Sequence, residues 1–349
     1  MIRTDDFALE LVPAPLILWY QANKRELPFR ENPTPYRVWV SEIMLQQTRV
    51  EAAKDYFLRF MAALPNVYAL AECEEKKLLK LWEGLGYYSR ARNLQKTAKL
   101  IVERGGEFPS NVQELQKLPG IGGYTAGAIA SIAFGKRAPA VDGNVFRVLS
   151  RLMANPTVIN DPKYKAYLEE RLAAVYPEEG QTCSDFTQAL MELGATVCKP
   201  TSPECTHCPL QSLCRAWAAG KQTEYPVMAE KKQPKKQRLF VFFIRTEQGV
   251  CIRKRTEGVL KGMYEFPSQE KREGDTPEKV LNEWGVSAFM IQQGKQYTHV
   301  FTHVKWEMDS YFVRAESAPF EAVSIAALKE EISLPTAFRQ MLKAVEKGV

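Results

Sequence analysis

The sequence predicts a multidomain chain: an all-α region to about residue 225, a basic linker, and a smaller α+β domain after it. Three observations predict it. The chain has 349 residues, 45% of them hydrophobic, more than one ordinary domain needs. Up to about residue 225, apolar residues recur at helical spacing between short Gly/Pro turns. Beyond it, a polar, proline-punctuated stretch, "EYPVMAEKKQPKKQR", leads into β-rich runs.

Taken in order, residues 1–20 read as a helix. "PYRVWVSEIMLQQTRVEAAKDYFLRFM" (35–61) reads as one long helix, with Thr34 as N-cap and Pro35 in the first turn. Residues 91–104, 126–134 and 145–153 give three more, separated by "LPNV", "GLGYYS", "GGEFPS" and "LPGIGG". After a linker at 226–238, "LFVFFIRTEQGVCIRKR" reads as a hairpin around "TEQG". "THVFTHVKWEMDSYFVRAE" adds one or two strands, and "TPEKVLNEWG" and "PTAFRQMLKAVEKG" add helices. No long-period repeat is present.

The net charge of +6 and pI near 8.8 favour a polyanionic partner. Residues 1–225 hold 27 Lys+Arg against 25 Asp+Glu, and residues 226–349 hold 20 against 16. A nucleic-acid face in the first part must therefore come from placement, not bulk charge. "MIRTDDFALELV" sets Asp5 and Asp6 where a secretory signal would be basic and then apolar. No apolar run approaches membrane-spanning length, so no membrane partner is expected. Four of seven cysteines crowd into 198–214, while Cys73, Cys183 and Cys251 are scattered. That distribution predicts a reducing compartment and a cysteine-bound metal; the absent targeting signals and the short linker point to a bacterial cytoplasm, with the protein at the nucleoid.

"LPGIGGYTAG" (118–127) joins two helical patterns. Gly120, Gly122 and Gly123 leave backbone N–H groups uncovered at a helix start, a place suited to a phosphate. A plain helix–helix connection with a glycine C-cap is the alternative. In "VWVSEIMLQQT", Val38, Glu42, Leu45 and Arg49 share one stripe of the long helix. Burial there would raise the Glu42 pKa toward that of a general acid; an ion pair with Arg49 or another base is the alternative. In "PAVDGNVFRVLSRL", Asp142 is placed to cap a helix and, still ionised, to face developing positive charge, with Asn144 beside it as an orienter. Cys198-x6-Cys205-x2-Cys208-x5-Cys214 admits free thiols or zinc, although zinc modules usually carry two short knuckles and only one is present.

Together with these, "LWEGLGYYSRARNL" and "ALMELGATVC" complete a set of six motifs over residues 25–215. In that order they resemble the MutY family of adenine DNA glycosylases, in the helix-hairpin-helix, endonuclease III-like superfamily. The resemblance implies an all-α helix-hairpin-helix glycosylase core with an iron–sulfur cluster loop, plus a C-terminal α+β Nudix-like domain. It implies a catalytic region at 1–225, with a six-helix part at about 26–135 and a cluster-bearing part at 1–25 and 136–225. A lesion-recognition domain would occupy 239–349. It further implies a [4Fe–4S] cluster on the four cysteines, fixing a basic loop (Lys199, His207, Arg215). The partner would be double-stranded DNA with adenine opposite 8-oxoguanine or guanine, bound by a monomer, with the adenine flipped out.

By motif, Glu42 would protonate the adenine and Asp142 would stabilise the oxocarbenium ion, supported by Tyr124 and Asn144. Arg30 and Leu45 would line the adenine pocket. Gln47, Thr48, Leu85 and Tyr87 would lie at the lesion; a glycine-rich turn with packed tyrosines is the other reading of "GLGYYSRAR". Phe301, Thr302 and His303 match the family's lesion-reading loop. Bifunctional relatives carry a lysine where this chain has Tyr124, and a phenol cannot form an imine, so no efficient lyase step is expected. Phe29 replaces a common tryptophan, Thr302 replaces a serine, and Gln188 stands where some relatives have glutamate. "GDTPEKVLNEWGV" lacks the glutamate-rich metal helix of Nudix hydrolases, so no nucleotide hydrolysis is expected there. A mismatch thymine glycosylase of the same superfamily is the second reading, and a bifunctional glycosylase/lyase acting on oxidised pyrimidines, against which Tyr124 and Glu42 argue, is the third. A DNA-binding iron–sulfur protein with purely structural carboxylates is the non-enzymatic one.

Overall fold

The computed structural model describes residues 6–159, 161–230 and 233–346. The helices in chain order are α1 (Pro13–Asn23), α2 (Pro35–Leu45), α3 (Val50–Ala63), α4 (Val67–Glu72), α5 (Glu75–Leu81) and α6 (Ser89–Glu103). They continue with α7 (Val112–Gln116), α8 (Gly123–Ala128), α9 (Gly143–Met153), α10 (Pro162–Val175), α11 (Gln181–Thr196) and α12 (Arg215–Ala218). Strands β1 (Lys235–Thr246), β2 (Gly249–Lys254), β3 (Tyr264–Glu265) and β4 (Ser268–Glu270) precede α13 (Pro277–Glu283). Then come β5 (Ala288–Val300), β6 (Val304–Ala315), β7 (Glu321–Val323), α14 (Ile325–Glu330) and α15 (Thr336–Glu346). The helix expected over 1–20 starts only at Pro13, as α1, after a 3-10 turn at Leu9–Leu11; residues 1–5 lie outside the described residues. No helix among the described residues is long and apolar enough to cross a membrane.

The chain divides into two compact units: Met1–Glu72 with Arg92–Glu230, and Cys73–Ala91 with Lys231–Val349. The first is helical. Its helix starts follow from capping chemistry: the Thr34 side chain accepts from Arg37 N, and Asp161 accepts from Lys163 N and Tyr164 N, each ahead of a proline. Helix α11 packs on α1 and α9, and α2 on α3 and α8. One core gathers Leu16, Phe146, Leu149, Tyr164, Phe186 and Leu190.

Two expectations about this unit are corrected. The helix predicted over 35–61 is broken: α2 ends at Leu45, Gln47 has φ +61°, and Arg49 starts α3 as its N-cap. Arg49 therefore leaves the stripe that carries Glu42. The break is a left-handed residue, which apolar periodicity does not register. The helix predicted over 126–134 is α8 continued by a π-helical turn, Ile129–Ala133.

The second unit is a mixed sheet of order β3-β2-β1-β6-β5, with β4 paired to β1 and β7 to β2. Strand β1 runs parallel to β6 from Lys235↔Val304 to Arg245↔Arg314, and β1–β2 and β5–β6 are antiparallel. The run Leu239–Ile244 is buried throughout because helices cover both faces. Leu239, Val241 and Phe243 meet Phe338 and Met341, whereas Phe240, Phe242 and Ile244 meet Val280 and Leu281. Strand β1 begins at Lys235, so it takes the last residues of the stretch expected as linker. The "TPEKVLNEWG" helix is α13, capped by Thr276. The last predicted helix is α15; residues 347–349 lie outside the described residues.

Candidate active site

The first unit holds a cleft of about 440 Å³. It is lined by Glu42 and Leu45 of α2, by Gln47 and Thr48 of the break after it, and by Tyr124 of α8. Asp142 and Asn144 at the start of α9, Gln188 of α11, and Arg30 complete the predicted set. All nine were singled out in the sequence, from segments up to 158 residues apart in the chain (Arg30 to Gln188).

Local sequence explains how they meet. Gly127 lets α8 lie against the segment that leads to Asp142; a Cβ there would fall 2.0 Å from Pro139 O. Gly194 does the same for α11, where a Cβ would fall 2.6 Å from Asn144 Cβ. Asp142 caps α9: its Oδ1 accepts from Val145 N at 2.8 Å, and its Oδ2 accepts from Asn144 Nδ2 at 2.8 Å. Asn144 is fixed in turn by Arg147, whose Nη2 donates to Asn144 Oδ1 at 2.8 Å. The carboxylate is thus aimed by its own helix.

Glu42 is 7% exposed. Burial pushes its pKa up to about 7, against the Tyr124 hydroxyl, which donates to Glu42 Oε2. Burial also holds the Tyr124 phenol well above its usual range, so it stays a proton donor to Glu42. Burial raises Asp142 too, opposed by the bonds from Val145 and Asn144. The site thus pairs a carboxyl that keeps its proton near neutrality with one whose capping bonds favour ionisation. This chemistry suits cleavage of a bond whose leaving group needs a proton and whose other side becomes positive.

Sequence reasoning missed Arg25 and Glu192. Glu192, with a side chain 1% exposed, accepts from Arg25 Nε at 2.7 Å and Nη2 at 2.8 Å, and from Arg30 Nη2 at 2.7 Å. Burial alone would raise its pKa, but the two guanidiniums outweigh it and bring it down to about 2. The signal was present in the spacing of Arg25 and Arg30 near the cleft-lining Phe29, with an acid in "ALMELGATVC" unaccounted for. Gln188 donates to Ser184 Oγ at 3.1 Å.

The hairpin glycines lie where α8 begins. Gly120 has φ +79°, and a Cβ on it would fall 2.8 Å from Asn93 Cβ. Gly122 is the exposed N-cap of α8, with open space around it, and Gly123 is half-buried. Leu85, Tyr87, Phe301, Thr302 and His303 belong to the second unit and do not line the cleft. Leu85 is buried, Tyr87 is 51% exposed, and Thr302 and His303 are exposed. The Tyr87 and Thr302 hydroxyls are 2.9 Å apart, and Phe301 packs edge-on against Trp306.

The four cysteines line one narrow cavity of about 30 Å³ beside Arg151. Arg151 is 2% exposed, and its guanidinium donates to Cys198 Sγ at 3.3 Å and to the carbonyls of Lys199, Pro200 and Tyr225. Among the described residues no His/Cys/Asp/Glu group is arranged as a metal site. The donor chemistry still fits a thiolate-bound cluster: four soft sulfur donors and a buried cation to offset their charge. The basic loop expected around them is partly neutralised, since Lys199 pairs with Glu204 and Arg215 with Asp6.

A model of the HhH-GPD superfamily of base excision DNA repair proteins matches residues 40–174, and a NUDIX domain model matches 240–344. The chain is 35% identical over 349 residues to an adenine DNA glycosylase of Arabidopsis thaliana, covering 83% of this chain and 55% of the relative. The chain thus spans about half the length of that relative. It is 36% identical over 292 residues to an adenine DNA glycosylase of Buchnera aphidicola (subsp. Acyrthosiphon pisum), covering 82% of this chain and 83% of that one. The helical part is similar to a solved thermostable thymine-DNA glycosylase, with a TM-score of 0.54 at 27% identity, over 60% of this chain and 96% of that one.

Proposed function

The chain belongs to the adenine DNA glycosylase family, and from that premise we propose that it hydrolyses the N-glycosidic bond of adenine opposite 8-oxoguanine or guanine in duplex DNA. The observation that carries the reading is the buried Glu42–Tyr124 pair facing the same cleft as Asp142.

The adenine is flipped into the cleft between α2 and α11. Glu42 gives its proton to a ring nitrogen of the base, so the base leaves neutral and the C1′–N bond breaks with its electron pair. Asp142 faces the positive charge left on the deoxyribose. Water adds at C1′ and releases a proton, so the products are free adenine and an abasic site. Arg30, held by Glu192, lines the base pocket with Leu45 and Gln188. No amine replaces Tyr124 at the hairpin, so no Schiff base forms there and the strand stays intact.

Gly120, Gly122 and Gly123 engage the DNA backbone at the start of α8. Gln47 and Thr48, with Leu85, Tyr87, Phe301, Thr302 and His303, read the opposite base. Cys198, Cys205, Cys208 and Cys214 would hold a [4Fe–4S] cluster, which would supply a structural tie for the loop. The residues before 226 form the catalytic region and those from 239 the lesion-reading domain, in a chain acting as a monomer at a bacterial nucleoid.

The test is a gel assay on end-labelled duplexes carrying A·8-oxoguanine, A·G, G·T or thymine glycol, with and without hot alkali. Breaks at adenine that require alkali are the expected result. Alkali-dependent breaks only at the thymine of G·T would move the activity to a mismatch thymine glycosylase. Breaks at thymine glycol without alkali would mean that a lyase is present.

A further inference from the structure

In the second unit one buried carboxylate ties two distant stretches of chain together. Glu83 Oε1 accepts from Leu334 N at 2.8 Å, and its Oε2 meets Lys80 Nζ at 2.9 Å and Arg339 Nη2 at 3.2 Å. Lys80 Nζ also donates to Ile332 O at 3.2 Å. Glu83 thereby fixes the segment ahead of α15, and α15 itself, to the end of α5.

The next residues form the "GLGYY" turn. Gly84, Gly86 and Tyr87 all have positive φ, +103°, +70° and +46°. For tyrosine that conformation is strained, so surrounding bonds must hold it. They do: Trp82 Nε1 donates to Gly86 O at 3.1 Å, and Arg90 Nη2 donates to Leu85 O at 3.0 Å. The Arg90 guanidinium lies 5.3 Å from the Trp82 ring and 5.5 Å from the Tyr87 ring. The turn ends with the Tyr87 hydroxyl against the Thr302 hydroxyl at 2.9 Å.

We infer that Glu83 is a positioning residue for lesion reading: by clamping Leu334 and Arg339 to α5, it sets the register of the Tyr87–Thr302 pair. The inference rests on the lesion-reading role proposed above for Tyr87 and Thr302. 8-Oxoguanine differs from guanine by an oxygen at C8 and a hydrogen on N7. Such a difference is read only by hydrogen-bonding groups held in place, and a slip of a few tenths of an ångström loses it. Releasing Glu83 therefore lowers discrimination more than it lowers affinity for DNA.

The test measures dissociation constants of the full chain for A·8-oxoguanine and A·G duplexes. A Glu42→Gln background slows turnover enough for binding to be read first. Glu83→Ala is expected to lower the ratio of the two constants about tenfold. Glu83→Gln, which keeps an acceptor for Leu334 N, lies between it and the parent. Arg339→Met removes one tie without stranding a buried backbone donor, and moves the ratio the same way by a smaller factor. Arg339→Met alone decides the matter if Glu83→Ala does not fold. An unchanged ratio in the folded variants, or equal weakening on both duplexes, overturns the inference. A parent with no preference for 8-oxoguanine overturns the lesion-reading assignment itself, before any Glu83 variant is compared.

Discussion

Replacing Glu42 by Gln is expected to lower single-turnover adenine excision by about 10²–10⁴-fold, the range that a positioned proton donor supplies. Duplex binding is retained, because the amide keeps the shape of the carboxyl and an acceptor for the Tyr124 hydroxyl. The same variant should be more stable than the parent at alkaline pH. The Glu42 pKa is about 7 in the folded chain and near 4.5 when unfolded. A raised folded pKa means that the stability contributed by the protonated group is fully present below about pH 4.5 and is lost as pH rises through 7. Gln does not titrate. The variant's advantage therefore grows between those limits, toward roughly 3 kcal/mol. Thermal melts at pH 5 and pH 8 read it as a gap between the two proteins that widens with pH. A variant that excises adenine normally would leave Glu42 a structural acid only.

Asp142→Asn separates the capping bond that this side chain makes from the charge stabilisation proposed for it. Asparagine is as good an N-cap as aspartate, so the bond from Val145 N survives and stability should change by no more than about 1 kcal/mol. The negative charge facing the sugar is lost. Removing one electrostatic stabiliser of a developing charge typically costs about 10²–10³ in rate, and that is the expected drop in the single-turnover constant. A large fall in melting temperature with excision intact would make Asp142 a cap and nothing more.

The legibility of these residues differed for physical reasons. Glu42 stood out because a carboxylate among Val38, Trp39, Ile43 and Met44 has nowhere polar to go on its own helix. Asp142 was visible through capping, which is local in sequence, and Tyr124 through the hairpin it follows. Glu192 was not visible, because its meaning depends on Arg25 and Arg30, more than 160 residues away, and periodicity carries no pairing information. The break at Gln47 was hidden for a related reason: apolar spacing continues across 45–50 while one residue reverses the backbone. The run Leu239–Ile244 was legible as a strand of a hairpin, whereas its burial on both faces and the parallel pairing of β1 with β6 were not. Likewise α5 was not singled out in the sequence, and that it joins the C-terminal unit depends on Glu83 and Leu334.

The most direct test of the central claim, a buried Glu42 that delivers a proton to the leaving base, is the pH dependence of wild-type single-turnover excision on an A·8-oxoguanine duplex. The rate should fall about tenfold per pH unit above about 7, as Glu42 ionises, and should also fall at acid pH, where Asp142 gains a proton. A rate that stays level to pH 9, or rises there, would contradict the account.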